Sequence, residues 1–267
     1  MRRLECDDDA RQALLALQAG VVDALLAPPG QPPSQWAPEG LKALPGIRGA
    51  LPQALGTYRG HARALSQRAL RSIYPRLRER MEAGAPGSFA AIAWSCWRHH
   101  APVQGDLGDW GQALIGQLAE AQADGLPPAW TALARLEWAL HRVERIADPV
   151  QDLGSLALLG RLPAAAVRLV LADHVDLHRG DDAAMRELLD LPPECFGTGP
   201  REAVIVWRDG WRGQWAALDA SVLGWCEALR EGADLERALQ DAGPAFDFSA
   251  WLPAAVARGW LARVETL

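Results

Sequence analysis

A chain of 267 residues, 49% hydrophobic and 22% charged, carries enough apolar matter for its own core and fits one large domain or two modest ones, which excludes the disordered and collagenous classes. No apolar run approaches the roughly 20 residues of a membrane helix, and Asp7-Asp8-Asp9 interrupts any signal-peptide core, so a cytoplasmic protein is expected. The formal charge of −6 argues against a surface that traps nucleic acid over its whole extent, yet residues 46–100 carry nine basic and two acidic side chains while every other stretch is net acidic.

From the N-terminus, the Asp run caps a helix over 8–26, where Leu14, Leu17, Val21, Val22 and Leu25 recur at helical spacing. Pro28 and Pro29 end it, and seven prolines within 28–53 mark a long irregular connector. Helical spacing resumes over 57–81, with Leu65, Ala69, Ile73 and Leu77 on one stripe and a kink or split due at Pro75. A Trp-rich helix follows over Ser88–His99. Further helices are expected over 109–123, presenting Trp110, Leu114 and Leu118, and from Pro128 to about residue 147, with Leu133, Leu136, Leu140 and Val143 in a stripe. Residues 1–153 therefore read as an all-helical N-terminal domain.

After Pro163 the period changes to two. Val167, Leu169, Leu171, Val175 and Leu177 alternate with polar residues, the pattern of one half-buried strand. Ala203–Trp207 and Gln214–Leu218 read as a hairpin around Asp209-Gly210. Three short helices follow, Asp219–Arg230, Asp234–Ala242 and Ser249–Arg258, each opened by Asp or Ser and closed by Gly232, Gly243 or Gly259. The fold class is α+β, a helical bundle followed over 154–267 by a winged-helix-like domain.

Few residues point to chemistry. Cys6, Cys96, Cys195 and Cys226 show no CxxC spacing and suit reduced cytosolic thiols. His174, Asp176 and His178 share one strand face and resemble an iron ligand set, although the solvent face of a half-buried strand explains them more simply. Cys96, His99 and His100 could meet on a helix, where a buried thiol beside two ordinary histidines is the simpler reading. Glu137 sits at the edge of the Leu133/Leu136/Leu140 stripe and needs a partner, for which Arg59, Arg63 and the Tyr58 hydroxyl are candidates; a structural ion pair is expected over acid–base work. No nucleophile elbow or phosphate-cradling glycine loop is present. The chain is accordingly read as a non-enzyme with no catalytic, metal or cofactor-binding residue.

As a DNA reader the third C-terminal helix is poor, offering Arg258 at its far end and no Asn, Gln or Lys for base edges. A peptide binder fits better. Strand Ala203, Val204, Ile205, Val206, Trp207 and Arg208 would pair with an extended peptide, and Val222, Trp225 and Leu229 would shape its groove or pack as core. Arg59, Arg63, Arg68, Arg71, Arg76 and Arg78 would form a docking face for an acidic protein or a phosphate surface, with a solvated helix face as the alternative.

The residues Tyr58-Arg59, Ile73-Tyr74-Pro75-Arg76-Leu77, Phe89, Pro102, Gly108 and Leu133-Ala134-Arg135-Leu136-Glu137-Trp138-Ala139 through Ala147-Asp148 resemble the HvfC/BufC-type proteins. Leu17-Gln18, Val206-Trp207-Arg208, Leu229, Gly232 and Leu235 fit the same pattern. That family was long described as DNA-binding and is now regarded as partner chaperones of peptide modification. The resemblance implies structural roles for Tyr58, Tyr74, Pro75, Glu137 and Trp138, and departs from the family in the connector 28–53 and around His174–His178. It also implies an adaptor that presents a Cys-containing, ribosomally made precursor peptide to a multinuclear non-haem iron-dependent oxidase, often in copper handling. The catalytic iron would belong to that partner. A DNA-binding regulator using the winged helix and the Arg-rich helix is the competing expectation.

Overall fold

A computed structural model describes residues 2–27, 51–148, 150–179 and 194–267; most of the expected connector, residues 28–50, lies outside them. The chain is α+β. Its contacts gather into two compact units, Met1–Ser72 with Arg78–Ala113, and Ile73–Leu77 with Leu114–Leu267. Among the described residues, no helix is long and apolar enough to cross a membrane.

The first unit is built of helices. Helix α1 (Arg2–Leu26) starts before the Asp run, which lies inside it instead of capping it. Its last carbonyls are capped by arginines distant in sequence, since Arg98 Nε donates to Leu26 O at 2.9 Å and Arg59 Nη2 donates to Ala27 O. Helix α2 (Leu51–Ile73) takes up the end of the expected connector, with Pro52 tolerated in its first turn. Pro75 then splits the expected 57–81 helix, and α3 (Pro75–Gly84) starts afresh.

The stripe on α2 differs from the expected one. Leu65 is 41% exposed, while Leu55, Ser66, Leu70 and Ile73 are buried. Ser66 can replace an apolar residue there because its hydroxyl donates to Arg63 O at 2.9 Å. Helix α4 (Ser88–His99) keeps its expected bounds, and its first amides are satisfied by Glu82, which accepts from Gly87 N at 2.8 Å and Phe89 N at 3.2 Å. The expected 109–123 helix is two pieces, α5 (Leu107–Trp110) in this unit and α6 (Ala113–Ala121), which from Leu114 on falls in the second, followed there by a 3₁₀ turn over Gln122–Asp124.

The second unit joins α7 (Pro128–Arg145) to two sheets and three helices. Strand β1 (Val167–Leu171) pairs antiparallel with β6 (Leu261–Thr266), a strand not anticipated from sequence. Strands β2 (Asp176–Arg179), β3 (Cys195–Phe196), β4 (Arg201–Asp209) and β5 (Arg212–Asp219) form a sheet of order β2-β4-β5-β3, antiparallel except where β3 runs parallel to β5. The single strand expected over 167–177 breaks at a turn closed by Val175 N donating to Ala172 O at 3.0 Å. The hairpin turns at Gly210, whose φ of 60° suits glycine.

Helices α8 (Ala220–Arg230), α9 (Leu235–Ala242) and α10 (Phe248–Ala257) are capped by Asp219, Asp234 and Asp247; the third begins one residue before Ser249, with Asp247 as its cap. Their core gathers aromatic residues. Trp225 and Trp260 are fully buried, and Trp225 stacks on Phe246 at 4.8 Å and meets Trp251 edge-on at 5.1 Å. Burial raises the Cys226 thiol to about 12, with Glu227 adding to the shift, and burial alone raises Cys96 to about 12. Both thiols should therefore resist a water-soluble alkylating reagent at neutral pH while the half-buried Cys195 reacts, as read by peptide mapping of the native chain; labelling of Cys226 as fast as Cys195 would contradict this.

An expected division at 153/154 would put α7 with the N-terminal helices, whereas its contacts group it with the strands. Gly213 N donates to Glu144 Oε1 at 2.8 Å, a Cβ on Gly213 would lie 2.9 Å from Leu140 O, and Arg208 Nη1 donates to Ile146 O at 2.6 Å. Helical periodicity marks which face is apolar, not which element covers it.

Candidate functional site

Most of the strand expected to take an added peptide is paired on both sides among the described residues. Strand β4 is interior, with Ala203–Val206 paired to β2 on one side and to β5 on the other. Ala203, Val204, Ile205 and Val206 are fully buried, Trp207 is 5% exposed, and Arg208 ties down Ile146 O and Asp148. Trp225 and Leu229 lie on the buried face of α8 and are core residues. The peptide-contact assignment is corrected at these positions, while Val222 lines an open cavity.

That cavity, about 380 Å³, lies where α8, α10 and the end of the sheet meet. Phe196, Val222, Phe246 and Trp251 give it apolar walls, and Thr198, Ser221 and Asp247 give it a polar rim. Phe196 is held from behind by Trp260 at 4.9 Å edge-on and by the Arg258 guanidinium at 4.7 Å from its ring. Beside it, β3 pairs with β5 over only Cys195↔Ala217 and Phe196↔Leu218.

Asp219 holds this wall in place. Its Oδ1 accepts from Val222 N at 3.0 Å and Ser221 Oγ at 2.8 Å, which caps α8, while Oδ2 accepts from Gly199 N at 3.0 Å, which fixes the loop after β3. Burial pushes this carboxyl up, but the amides of Val222 and Gly199, the Ser221 hydroxyl and the Thr198 amide outweigh it and hold the group below its ordinary value. Gly197 sits at φ 94°, and a Cβ there would lie 1.9 Å from Asp219 Oδ2, so the loop packs down on the carboxylate only because residue 197 has no side chain. Sequence periodicity missed Phe196, Thr198 and Phe246. The available signals were the Gly197-Thr198-Gly199-Pro200 turn cluster and the aromatic residues around Asp247.

The expected arginine docking face divides. Arg59 and Arg63 turn onto Trp94, their guanidinium carbons 5.7 and 5.0 Å from its ring, whereas Arg68, Arg71 and Arg78 line a separate cavity. Arg76 is exposed, and its backbone amide is the group in use: it donates to Glu137 Oε1 at 2.8 Å, while Leu77 N donates to Oε2 at 3.0 Å. Glu137 is thus the cap of α3, with Tyr74, fully buried, and exposed Pro75 forming the break that it caps. Trp138 is 9% exposed and Tyr58 is 65% exposed.

The strand break separates His174 from its expected companions. His178 Nε2 lies 3.4 Å from Asp176 Oδ2, and Arg230 Nη1 lies 3.5 Å from Asp176 Oδ1, so this carboxylate faces an imidazole and a guanidinium. His174 is buried in the turn, its Nδ1 without a hydrogen-bond partner among the described residues. Among the described residues, no group of three or more His, Cys, Asp and Glu could hold a metal. Burial first, and Arg208 second, lower the His174 imidazole, so the folded state keeps it neutral while the unfolded chain takes up its proton below 6.5. Stability from this group is present above 6.5 and lost as pH falls toward the folded value. In thermal melts, His174→Gln should lose less midpoint than the parent between neutral and mildly acid pH; equal losses would contradict this assignment.

Helix α10 also bears on nucleic acid. Arg258, which follows its last residue as the C-cap, pairs with Glu194 and lies against Phe196, so among the described residues this helix offers no uncommitted basic group for phosphate or bases. Neither a protein-family model nor a curated protein matches the chain.

Proposed function

We propose that this protein is a non-catalytic cytoplasmic adaptor, an N-terminal helical bundle followed by a winged-helix-like peptide-recognition module. It captures the leader of a ribosomally made, Cys-containing precursor peptide and presents it to a multinuclear non-haem iron-dependent oxidase that modifies the cysteines, in a setting tied to copper handling. The observation that carries this reading is the apolar groove between α8, α10 and β3, with Phe196 and Trp251 as aromatic walls and Asp247, Ser221 and Thr198 on its rim. An extended segment laid there meets aromatic surface, polar groups to fix its register, and a sheet whose last strand pairs over two residues. The resemblance carried by Tyr58-Arg59, Ile73–Leu77 and Leu133–Ala139 points to the same partners.

Co-expression with any iron oxidase and any short Cys-containing peptide encoded beside its gene tests the reading. The three should copurify on a tag placed on this chain, and the peptide should change mass only when all three are present. Failure of both association and mass change contradicts the adaptor. Tight, salt-sensitive and sequence-selective binding of duplex DNA would instead favour a regulator.

A further inference from the structure

Arg68 and Arg71 lie one turn apart on α2, and Arg78 lies on α3, yet all three line one cavity of about 500 Å³ in the N-terminal unit. Gln67 and Glu82 share its wall, and Ala64, Ala90 and the buried Phe89 also line it. No guanidinium of the three forms a hydrogen bond or ion pair within the described residues. The acid in the wall is already committed, since both oxygens of Glu82 accept from the first amides of α4. Like charges one turn apart on a helix repel, so three guanidinium groups around one concavity leave a site short of negative charge.

We propose that this cavity is a docking site for an acidic peptide segment of a protein partner, in which two or three carboxylates meet Arg68, Arg71 and Arg78 and an apolar side chain rests against the lining of Ala64, Phe89 and Ala90. Planar guanidinium forks match carboxylates two bonds at a time. A volume near 500 Å³ exceeds what one simple oxyanion fills and suits a short chain segment. The apolar lining of Ala64, Phe89 and Ala90 gives that segment contact that a bare polyanion would not use. The site stands on the N-terminal unit alone, so a failed peptide capture in the C-terminal groove leaves it intact, and its own failure leaves that groove intact.

Calorimetric titration of the full chain at low salt tests it with three probes: acetyl-Glu-Leu-Glu-Glu amide, its Gln-Leu-Gln-Gln counterpart, and inorganic pyrophosphate. The acidic peptide should bind at least tenfold more tightly than the neutral one. Arg71→Gln and Arg78→Gln should each weaken it about tenfold, and Arg78→Lys should weaken it too, because a point charge replaces a fork. Arg212→Gln, on the exposed hairpin and equal in charge change, should alter it by less than about twofold. Equal losses in Arg212→Gln would reduce the effect to net charge and overturn the site. Pyrophosphate binding more tightly than the peptide, with the same arginine dependence, would replace the peptide by a phosphate ligand and also overturn it. An unchanged unfolding midpoint in Arg71→Gln and Arg78→Gln separates lost binding from lost folding.

Discussion

Asp219→Ala should lower the unfolding free energy by about 2–4 kcal/mol and empty the C-terminal groove of any peptide that it holds. The size follows from what the carboxylate does. Loss of the α8 cap removes about 1 kcal/mol, and orphaning the amide of Gly199 beside a buried site adds roughly 1–3 kcal/mol. Asp219→Asn keeps the shape and some acceptor capacity, so its loss should be about half as large. Because the folded carboxyl lies below its ordinary value of 3.8, its contribution is present above that value and disappears as pH falls through the folded one. Urea unfolding should therefore show a gap between parent and Asp219→Ala that is full at neutral pH and narrows in acid. Gly197→Ala should reproduce the groove defect without touching the carboxylate, since its Cβ would overlap Asp219 Oδ2.

Glu137→Ala should cost about 2–4 kcal/mol, with a larger loss than Glu137→Gln. The residue before Pro75 is Tyr74, which has no short side-chain acceptor to cap α3, and Glu137 reaches across from α7 to accept both Arg76 N and Leu77 N. Alanine leaves these amides without that acceptor in a place where Leu77 is fully buried and Glu137 itself is 4% exposed. Glutamine retains one acceptor oxygen and should lose about half as much. Hydrogen exchange at Arg76 and Leu77 reads the effect locally: both amides should be among those most accelerated in Glu137→Ala. Unchanged exchange there, with stability lost elsewhere, would contradict the capping role.

Much of the C-terminal unit was legible because turn chemistry and capping are local. The Gly210 turn, the Asp219 and Asp234 caps, and Gly232, Gly243 and Gly259 at positive φ follow from residues within a few positions of each other. Glu137 was legible as a buried carboxylate needing partners. That those partners include backbone amides of another helix was not, since any main-chain segment could supply them. Whether β4 is an edge or an interior strand depends on β2 and β5 closing on either side, and alternation along one strand carries no information about its neighbours. The apolar stripe through Leu65 failed for a related reason: alanines on both sides of α2 leave two faces nearly equal until Ser66 is seen to be buried. The groove draws residues from three separate stretches, 196–198, 221–222 and 245–254, and no single motif spans them.

Hydrogen exchange of the full chain with and without a Cys-containing precursor peptide, one that copurifies with it on co-expression, tests the adaptor most directly. The account predicts protection concentrated at residues 194–199 and 245–254, weakened in Asp219→Ala and absent with a scrambled peptide. Protection spread evenly over the chain, or none at saturating peptide, would contradict it.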